Sequence, residues 1–418
     1  MAQWSPVFAA PMGRDDAIRK ALTTNPELAV ARHEIRVAET RLKWAGRLSN
    51  PELEIGLNDD FLGSNDNENG VEIAFVQQFP ITSRLEGERE LGRRHVDLAW
   101  MEFAIRQREL AYEVDKAWLV LAAARESISL RTRQRDLNRD VVEFLEGGSA
   151  VGEASSLDAA QASLAGRLLA QQIGQAEREA LIAESALRQL LGMPSGTAIV
   201  LSAAPKVPAK APKAGQEVSI RKAIESSPEL AAIEAKIAAA EAKLDLADAR
   251  RWEDVALRVF LEREHSVDQP DGRGRNTFAG ISLSIPLPIR DTNQAGIAEA
   301  ELDLDRARLL LAAQTHLLDS QLDAAVKNRA ALHRLAASAT GETLKLAEQN
   351  VGQFRDAQES GQASLLQVQQ AQRQWLELET GAIELRNAYL LADAEMRFLT
   401  GTYPIPANQA SSETSTAK

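Results

Sequence analysis

Along most of the chain, apolar side chains recur at intervals of three and four, the spacing of a helix with one buried face. In four short stretches the interval drops to two. Leu53, Ile55 and Leu57 alternate with Glu52, Glu54, Gly56 and Asn58, and Val71, Ile73 and Phe75 alternate with Glu72, Ala74 and Val76. These stretches predict strands near 52–58 and 71–79, joined by the turn-forming loop NDDFLGSNDNENG. A second pair is predicted near 254–262 and 277–285, around the loop REHSVDQPDGRGRN. The helical spacing predicts a helix opening at Asp15 or Asp16, interrupted by Asn25-Pro26 and resumed to about Leu48. It also predicts a long helix over 84–147 followed by one over 153–192, then a long helix over 292–358 followed by one over 363–400. A helix of roughly 60 residues reaches on the order of 90–100 Å, more than the diameter of a compact domain.

The pattern is written twice. Asn25-Pro26-Glu27-Leu28-Ala29 returns 202 positions later as Ser227-Pro228-Glu229-Leu230-Ala231, and Phe79-Pro80-Ile81 returns 208 positions later as Leu287-Pro288-Ile289. Leu169, Ile173, Ala176, Ala180, Ala183, Leu187 and Leu190 form a seam at alternating spacings of four and three. Adding 209 gives Leu378, Ala382, Leu385, Tyr389, Ala392, Met396 and Leu399, and each seam is followed by a glycine, Gly192 and Gly401. The chain is an internal duplication. It reads as an N-terminal segment (1–14), a first repeat (15–196), a linker rich in Pro, Ala and Lys (197–217), a second repeat (218–403) and a polar tail (404–418).

Composition narrows the function. A formal charge of −12 and the lack of any basic block exclude a nucleic-acid binder. With no cysteine, disulfides, thiolate metal sites and a catalytic thiol are excluded. No window holds 18 uninterrupted apolar residues, so a β-barrel is the remaining way to span a membrane. MAQWSPVFAAPMGR has neither the basic start nor the apolar run of an intact signal peptide, and Val7-Phe8-Ala9-Ala10 reads as a remnant near a cleavage site. His33, His95, His265, His316 and His333 lack metal-ligand spacing, and Gly272-Arg273-Gly274 lacks the context of a phosphate loop. No enzyme, metal site or cofactor is therefore expected. The loop acids Asp59, Asp60, Asp66 and Glu68 read as solvated.

Four strands cannot close a barrel, for which about eight is the practical minimum. Open edges are not tolerated in lipid, so closure must come from further copies; two give eight strands and three give twelve. Glu52, Glu54, Glu72, Arg258 and Glu262 fit a water-facing side, with Leu, Ile and Val toward lipid. Two hairpins on a soluble, periplasmic helical scaffold are the competing arrangement.

The order of elements, the duplication and the proline-terminated strands resemble the TolC-type outer membrane efflux channels over about 15–403, and within them the CzcC/CnrC branch that serves heavy-metal efflux. The most specific part is the turn between the last two helices of each repeat: Gly152-Glu153-Ala154-Ser155-Ser156-Leu157-Asp158-Ala159, and Gly361-Gln362-Ala363-Ser364-Leu365-Leu366-Gln367-Val368 with Val in place of the family's Ala. The resemblance implies an α+β membrane protein: long α-helical hairpins forming a periplasmic tunnel, and four β-strands per chain contributing to a trimeric twelve-stranded β-barrel. It implies a homotrimer in the outer membrane of a Gram-negative bacterium. It also implies docking of Gly152, Ala154, Ser155, Leu157, Gly361, Ala363, Ser364 and Leu366 onto a periplasmic adaptor linked to an inner-membrane pump of the RND type. The implied cargo is a divalent cation such as cobalt, zinc, cadmium or nickel; drugs or organic molecules are the alternative. Family members often ring the periplasmic mouth with aspartates just after the second tip, where this chain has the neutral Gln367 and Gln370. Asp158, in the first repeat, supplies a possible three-fold acidic ring, implying a weaker cation preference.

Overall fold

The computed structural model describes residues 11–59, 69–150, 156–209, 222, 227–268 and 272–403. Among them the elements are α1 (Arg14–Thr24), α2 (Pro26–Trp44), β1 (Glu52–Asp59), β2 (Asn69–Phe79), α3 (Arg84–Ala150), α4 (Ser156–Leu190), α5 (Pro228–Ala249), β3 (Val255–Asp268), β4 (Gly272–Ser284), α6 (Gln294–Ala339), α7 (Glu342–Glu359) and α8 (Leu365–Leu399). The remnant proposed at 7–10 and the tail at 404–418 lie outside the described residues.

Local chemistry sets the boundaries. Asn25, extended at φ −67° and ψ 125°, ends α1 because the following proline disfavours helix at that position. Its carboxamide oxygen then accepts the Leu28 N–H at 3.0 Å, so one residue both ends α1 and caps α2. The two seams close alike: Gly192 N–H donates to Gln189 O at 3.0 Å, and Gly401 N–H donates to Phe398 O at 3.2 Å.

Two compact units result. The first takes described residues within 1–31, 103–228 and 315–418. Its core is helical, with Leu110, Val114, Trp118, Leu119 and Leu121 of α3 buried alongside Ile18, Leu187, Leu191 and Leu322. Seam residues Ile173, Ala176, Ala180, Ala183 and Leu187 are buried, and so are Ala382, Tyr389, Ala392 and Met396. The stretch after α4 is fastened rather than loose. Met12 pairs with Leu201 in a parallel bridge, and His333 Nε2 lies 2.8 Å from Pro208 O.

The second unit takes residues within 32–102 and 229–314 and contains the whole sheet. Its order is β1-β2-β3-β4, every neighbour antiparallel, so that β2 and β3 join the two repeats. Ile55 faces Ile73, Ile73 faces Leu261, and Leu261 faces Ala279. Slipping this register by one residue would turn every apolar side chain to the other face.

Two expectations change. The stretch Arg263–Asn276, read as loop, is mostly ladder: β3 and β4 stay paired out to Asp268 and Gly272, and β2 starts at Asn69 rather than 71. Backbone pairing continues through polar side chains, which carry no alternation signal. The long helix expected over 292–358 is two helices, parted before Gly341, whose φ of 92° a helix cannot accommodate.

Candidate functional site: a two-faced sheet and two helix tips

One face of the sheet is apolar across all four strands. Leu53, Ile55 and Leu57 of β1 stand beside Val71, Ile73 and Phe75 of β2, then Val259 and Leu261 of β3, then Ile281 and Leu283 of β4. All ten are exposed, Leu57 at 76% and Ile281 at 74%. A patch this continuous needs a cover, since soluble surfaces rarely carry one. No helix of the described residues is long and apolar enough to cross a membrane.

The opposite face is polar and internally bonded. Arg258 Nε donates to Glu54 Oε2 at 3.1 Å, its other arm reaches Glu72, and its guanidinium lies 5.0 Å from the centre of the Phe260 ring. One strand thus ties to two others through a single cation, as the water-facing assignment of Glu54, Glu72 and Arg258 anticipates. Glu52 and Asp59 are exposed at the two ends of β1. Asp60, Asp66 and Glu68 lie outside the described residues. The outer edges of β1 and β4 pair with no strand among the described residues. An antiparallel sheet with two open edges and an uncovered apolar face is an incomplete barrel wall.

The second tip is described in full. Gly361, at φ 74°, closes α7: its N–H donates to Gln358 O at 2.9 Å and the Gln362 N–H to Ala357 O at 2.7 Å. Ser364 then opens α8 as a capping box. Its Oγ accepts the Gln367 N–H at 3.4 Å, while the Ser364 N–H donates to Gln367 Oε1 at 2.8 Å. Ala363 is half-buried and Leu366 exposed. Val368 is buried.

Gln367, assigned to a channel mouth, has its carboxamide engaged on its own helix cap, while Gln370 is exposed. Of the first tip, Gly152, Ala154 and Ser155 lie outside the described residues. Leu157 is exposed, and Asp158 is the third residue of α4, as Gln367 is of α8. Above the second tip, α3, α4 and α8 enclose a groove of about 590 Å³ lined by Gln134, Asn138, Gln172, Gln369, Gln372 and Trp375. Farther along α8, burial raises the Glu379 carboxyl above its ordinary range, and Arg133 at 3.5 Å only partly offsets this.

One cluster escaped the sequence reading. Asp115 is fully buried in α3 and takes both arms of Arg14 at 2.7 Å. Arg397 lies at 3.5 Å and the Tyr403 hydroxyl at 3.0 Å, so one carboxylate binds α1, α8 and the segment after α8. Burial, with Asp115 second, pushes the Tyr403 hydroxyl well above the usual phenol range. The available signal was an acid within the apolar series Leu110, Ala111, Val114 and Trp118.

Comparison with known proteins fits this geometry. The model of a family described as outer membrane efflux protein matches residues 17–193 and again 219–402, once per repeat. The cobalt-zinc-cadmium resistance protein CzcC of Cupriavidus metallidurans is 25% identical over 382 residues, 88% of this chain and 86% of its own. Among solved structures, CusC superposes with a TM-score of 0.70 at 17% identity, over 93% of this chain and 91% of its own. The CmeC outer membrane channel of Campylobacter jejuni does so with a TM-score of 0.72 at 12% identity, over 96% and 90%.

Proposed function

The chain belongs to the outer membrane efflux protein family, and from that premise we propose that it is the exit duct of a three-part metal efflux system. The observation that carries the reading is the sheet, apolar on one side, charged on the other and, among the described residues, unpaired at both edges. Three copies supply twelve strands, joining β4 of one to β1 of the next, and enclose a lumen lined by the side that holds Arg258, Glu54 and Glu72. The helices carry the duct into the periplasm. There the small-residue tips at 152–157 and 361–366, with Leu157 and Leu366 outermost, receive a periplasmic adaptor that connects to an inner-membrane pump of the RND type. No step of chemistry is required of the duct; the pump supplies the energy and selects the ion.

Divalent heavy-metal cations are the proposed cargo, supported by the likeness to CzcC along most of both chains. The test is expression with a signal peptide and a cognate adaptor and pump in a host lacking metal efflux. Growth under cobalt, zinc, cadmium or nickel should recover, and the protein should fractionate with the outer membrane as a detergent-stable trimer. Recovery as a soluble monomer would sink the duct. Protection against organic toxicants alone would sink the metal cargo and leave the duct standing.

A further inference from the structure

The second helical hairpin carries glycine at three evenly spaced places. Gly361 closes the tip, and Gly341 and Gly381 lie 20 residues before and after it. Arg329 on α6 pairs with Asp393 on α8 at 3.2 Å, which fixes the register of the two antiparallel legs. Twelve residues nearer the tip on each leg come Gly341 and Gly381. The two glycines therefore stand level, roughly 30 Å from the tip at about 1.5 Å per helical residue.

No close approach calls for either glycine. A Cβ on Gly341 or on Gly381 would meet nothing within 4 Å. Gly341 is required by its φ of 92°, where the chain parts α6 from α7. Gly381 lies inside the unbroken α8, where glycine loosens a helix that alanine would stiffen. The break opposite it is chemically finished. Ser338 Oγ donates to Leu335 O at 2.8 Å, Thr340 Oγ1 to Ala336 O at 2.9 Å and Thr343 Oγ1 to Ser338 O at 3.2 Å. These hydroxyls serve carbonyls that lose helical partners where the helix stops. At the matching places the first repeat has Leu130, Thr132, Arg133 and Arg135, and α3 runs through them. Gln172 matches Gly381; Gly174 follows in α4, but the leg opposite it is unbroken.

Packing changes at the same level. On the far side of Gly381 from the tip, α8 buries Ala382, Ile383, Tyr389, Leu390, Ala394 and Met396. On the tip side it buries Val368 and Ala371, and among the described side chains of α7 none is buried. The ion pairs of α8 with α3, Arg133 with Glu379 and Glu126 with Arg386, lie within five residues of Gly381. Thr380 and Gly381 also border the groove between α3, α4 and α8, so there is room for the leg to bend. On its walls Gln134 Oε1 and Gln369 Nε2 are enclosed without a hydrogen-bond partner among the described residues, so a shift there breaks no bond of theirs.

We propose that Gly341 and Gly381 form one joint across both legs of the second hairpin, on which residues 342–380 swing with their tip against α3. The first tip stands on an unbroken α3. The chain thus has one fixed and one movable tip, and a partner that engages both meets the first in place and draws the second to it. The joint belongs to the chain itself and does not depend on the sheet meeting lipid.

The chain has no cysteine, so introduced pairs can be spin-labelled without background. Arg139→Cys with Gln370→Cys spans α3 and α8 on the tip side of the joint, and Ser129→Cys with Glu384→Cys spans them on the far side; all four positions are exposed. Each tagged pair variant is expressed as a minority alongside the natural chain and captured in detergent, so that distances within one chain dominate. Pulsed electron paramagnetic resonance should give a distance distribution at least twice as wide for 139/370 as for 129/384. Gly381→Ala, whose methyl group has open space, should fold normally and narrow the 139/370 distribution, leaving 129/384 unchanged. Gly341→Ala is strained at its φ and serves only as a supplement. Equal widths at the two pairs in the natural background would overturn the joint. A wide 139/370 distribution that Gly381→Ala leaves unaltered would overturn it too, placing the motion in the loose packing of α7 instead.

Discussion

Asp115 and Asp323 stand 208 positions apart, at the same place in the long helices of the two repeats, and live in opposite surroundings. Leu110 and Val114 before the first match Leu318 and Leu322 before the second, and all four are buried. Yet Asp115 is completely enclosed among Arg14, Arg397 and Tyr403, while the Asp323 side chain is 64% exposed and pairs with Lys327 one turn on. The inward stripe was kept after duplication, and the far side of the helix diverged. α3 is sealed there by α1 and by the segment after α8, so an acid on that side had to gain partners. The repeats teach that matching sequence fixes one face of a helix, and the rest of the chain decides what becomes of the other.

Substituting the two aspartates tests this most directly. Asp115→Ala leaves two guanidinium groups and a hydroxyl around an empty centre, and the expected loss is about 3–5 kcal/mol. Asp323→Ala removes a solvated pair and should change stability by less than about 0.5 kcal/mol. Denaturant unfolding of the detergent-solubilised protein measures both. Similar losses would mean that the buried cluster does not hold α1 and the segment after α8 to α3.

The hairpins should instead behave alike, because the membrane imposes one demand on both. Ile55→Arg in β1 and Leu261→Arg in β3, level with each other through Ile73, each put a cation on the apolar face and should each cost about 2–4 kcal/mol near the bilayer centre. Glu54→Gln, on the other face, removes one partner of Arg258 but leaves Glu72, and should cost less than about 1 kcal/mol. Folding titrations into detergent or lipid read the three side by side. Equal tolerance of all three would argue that the strands never meet lipid.

The same distinction decides what the sequence disclosed. Alternation in β1 and β2 is a local property, so Leu53 to Leu57 and Val71 to Phe75 were legible, as were the seams and their glycines. The ladder beyond Glu262 was not, because His265 and Arg275 pair through backbone groups that any residue possesses. The break before Gly341 was hidden for another reason. Gly87, Gly92 and Gly174 lie inside unbroken helices, so a glycine alone does not announce a break. Asp115 depends on partners 101 and 288 positions away, beyond the reach of any periodicity. At the second tip, Gly361 and Ser364 are residue types that stop and cap helices and so carry a local signal, whereas the return of the Gln367 side chain to its own cap is a matter of rotamer.

Glu379 of α8 stands where the first repeat has Ala170, so only the second repeat carries this half-buried acid. Its folded pKa lies above the unfolded value, chiefly through burial and then through Glu348 and Glu126. The fold therefore holds that proton more tightly than the unfolded chain does. The resulting stability is fully present below the ordinary glutamate pKa and is lost as pH rises through the folded value. Glu379→Gln removes the cost of the charge and should stabilise the protein by less than about 1 kcal/mol at neutral pH, with the gain vanishing in acid. A pH series of melting curves for both proteins checks the sign.

The smallest expected effect concerns the third residue of the helix after each tip, Asp158 in α4 and Gln367 in α8. Both positions sit in a helix first turn, where a negative charge is favoured, and Asp158→Asn should cost only about 0.3–1 kcal/mol there. Conduction is the more telling readout. If three copies bring three Asp158 carboxylates around the periplasmic mouth, they are the charges at these two positions that attract cations, because Gln367 is neutral and its carboxamide is held by its own cap. Asp158→Asn should then lower cation over anion selectivity in planar bilayers, most visibly at low salt where screening is weak. Gln367→Asp should raise it, and should restore selectivity to the Asp158→Asn channel if the two tips face one mouth. Unchanged reversal potentials in all three channels would show that charge at these positions does not set ion preference, and that the two repeats differ there in capping alone.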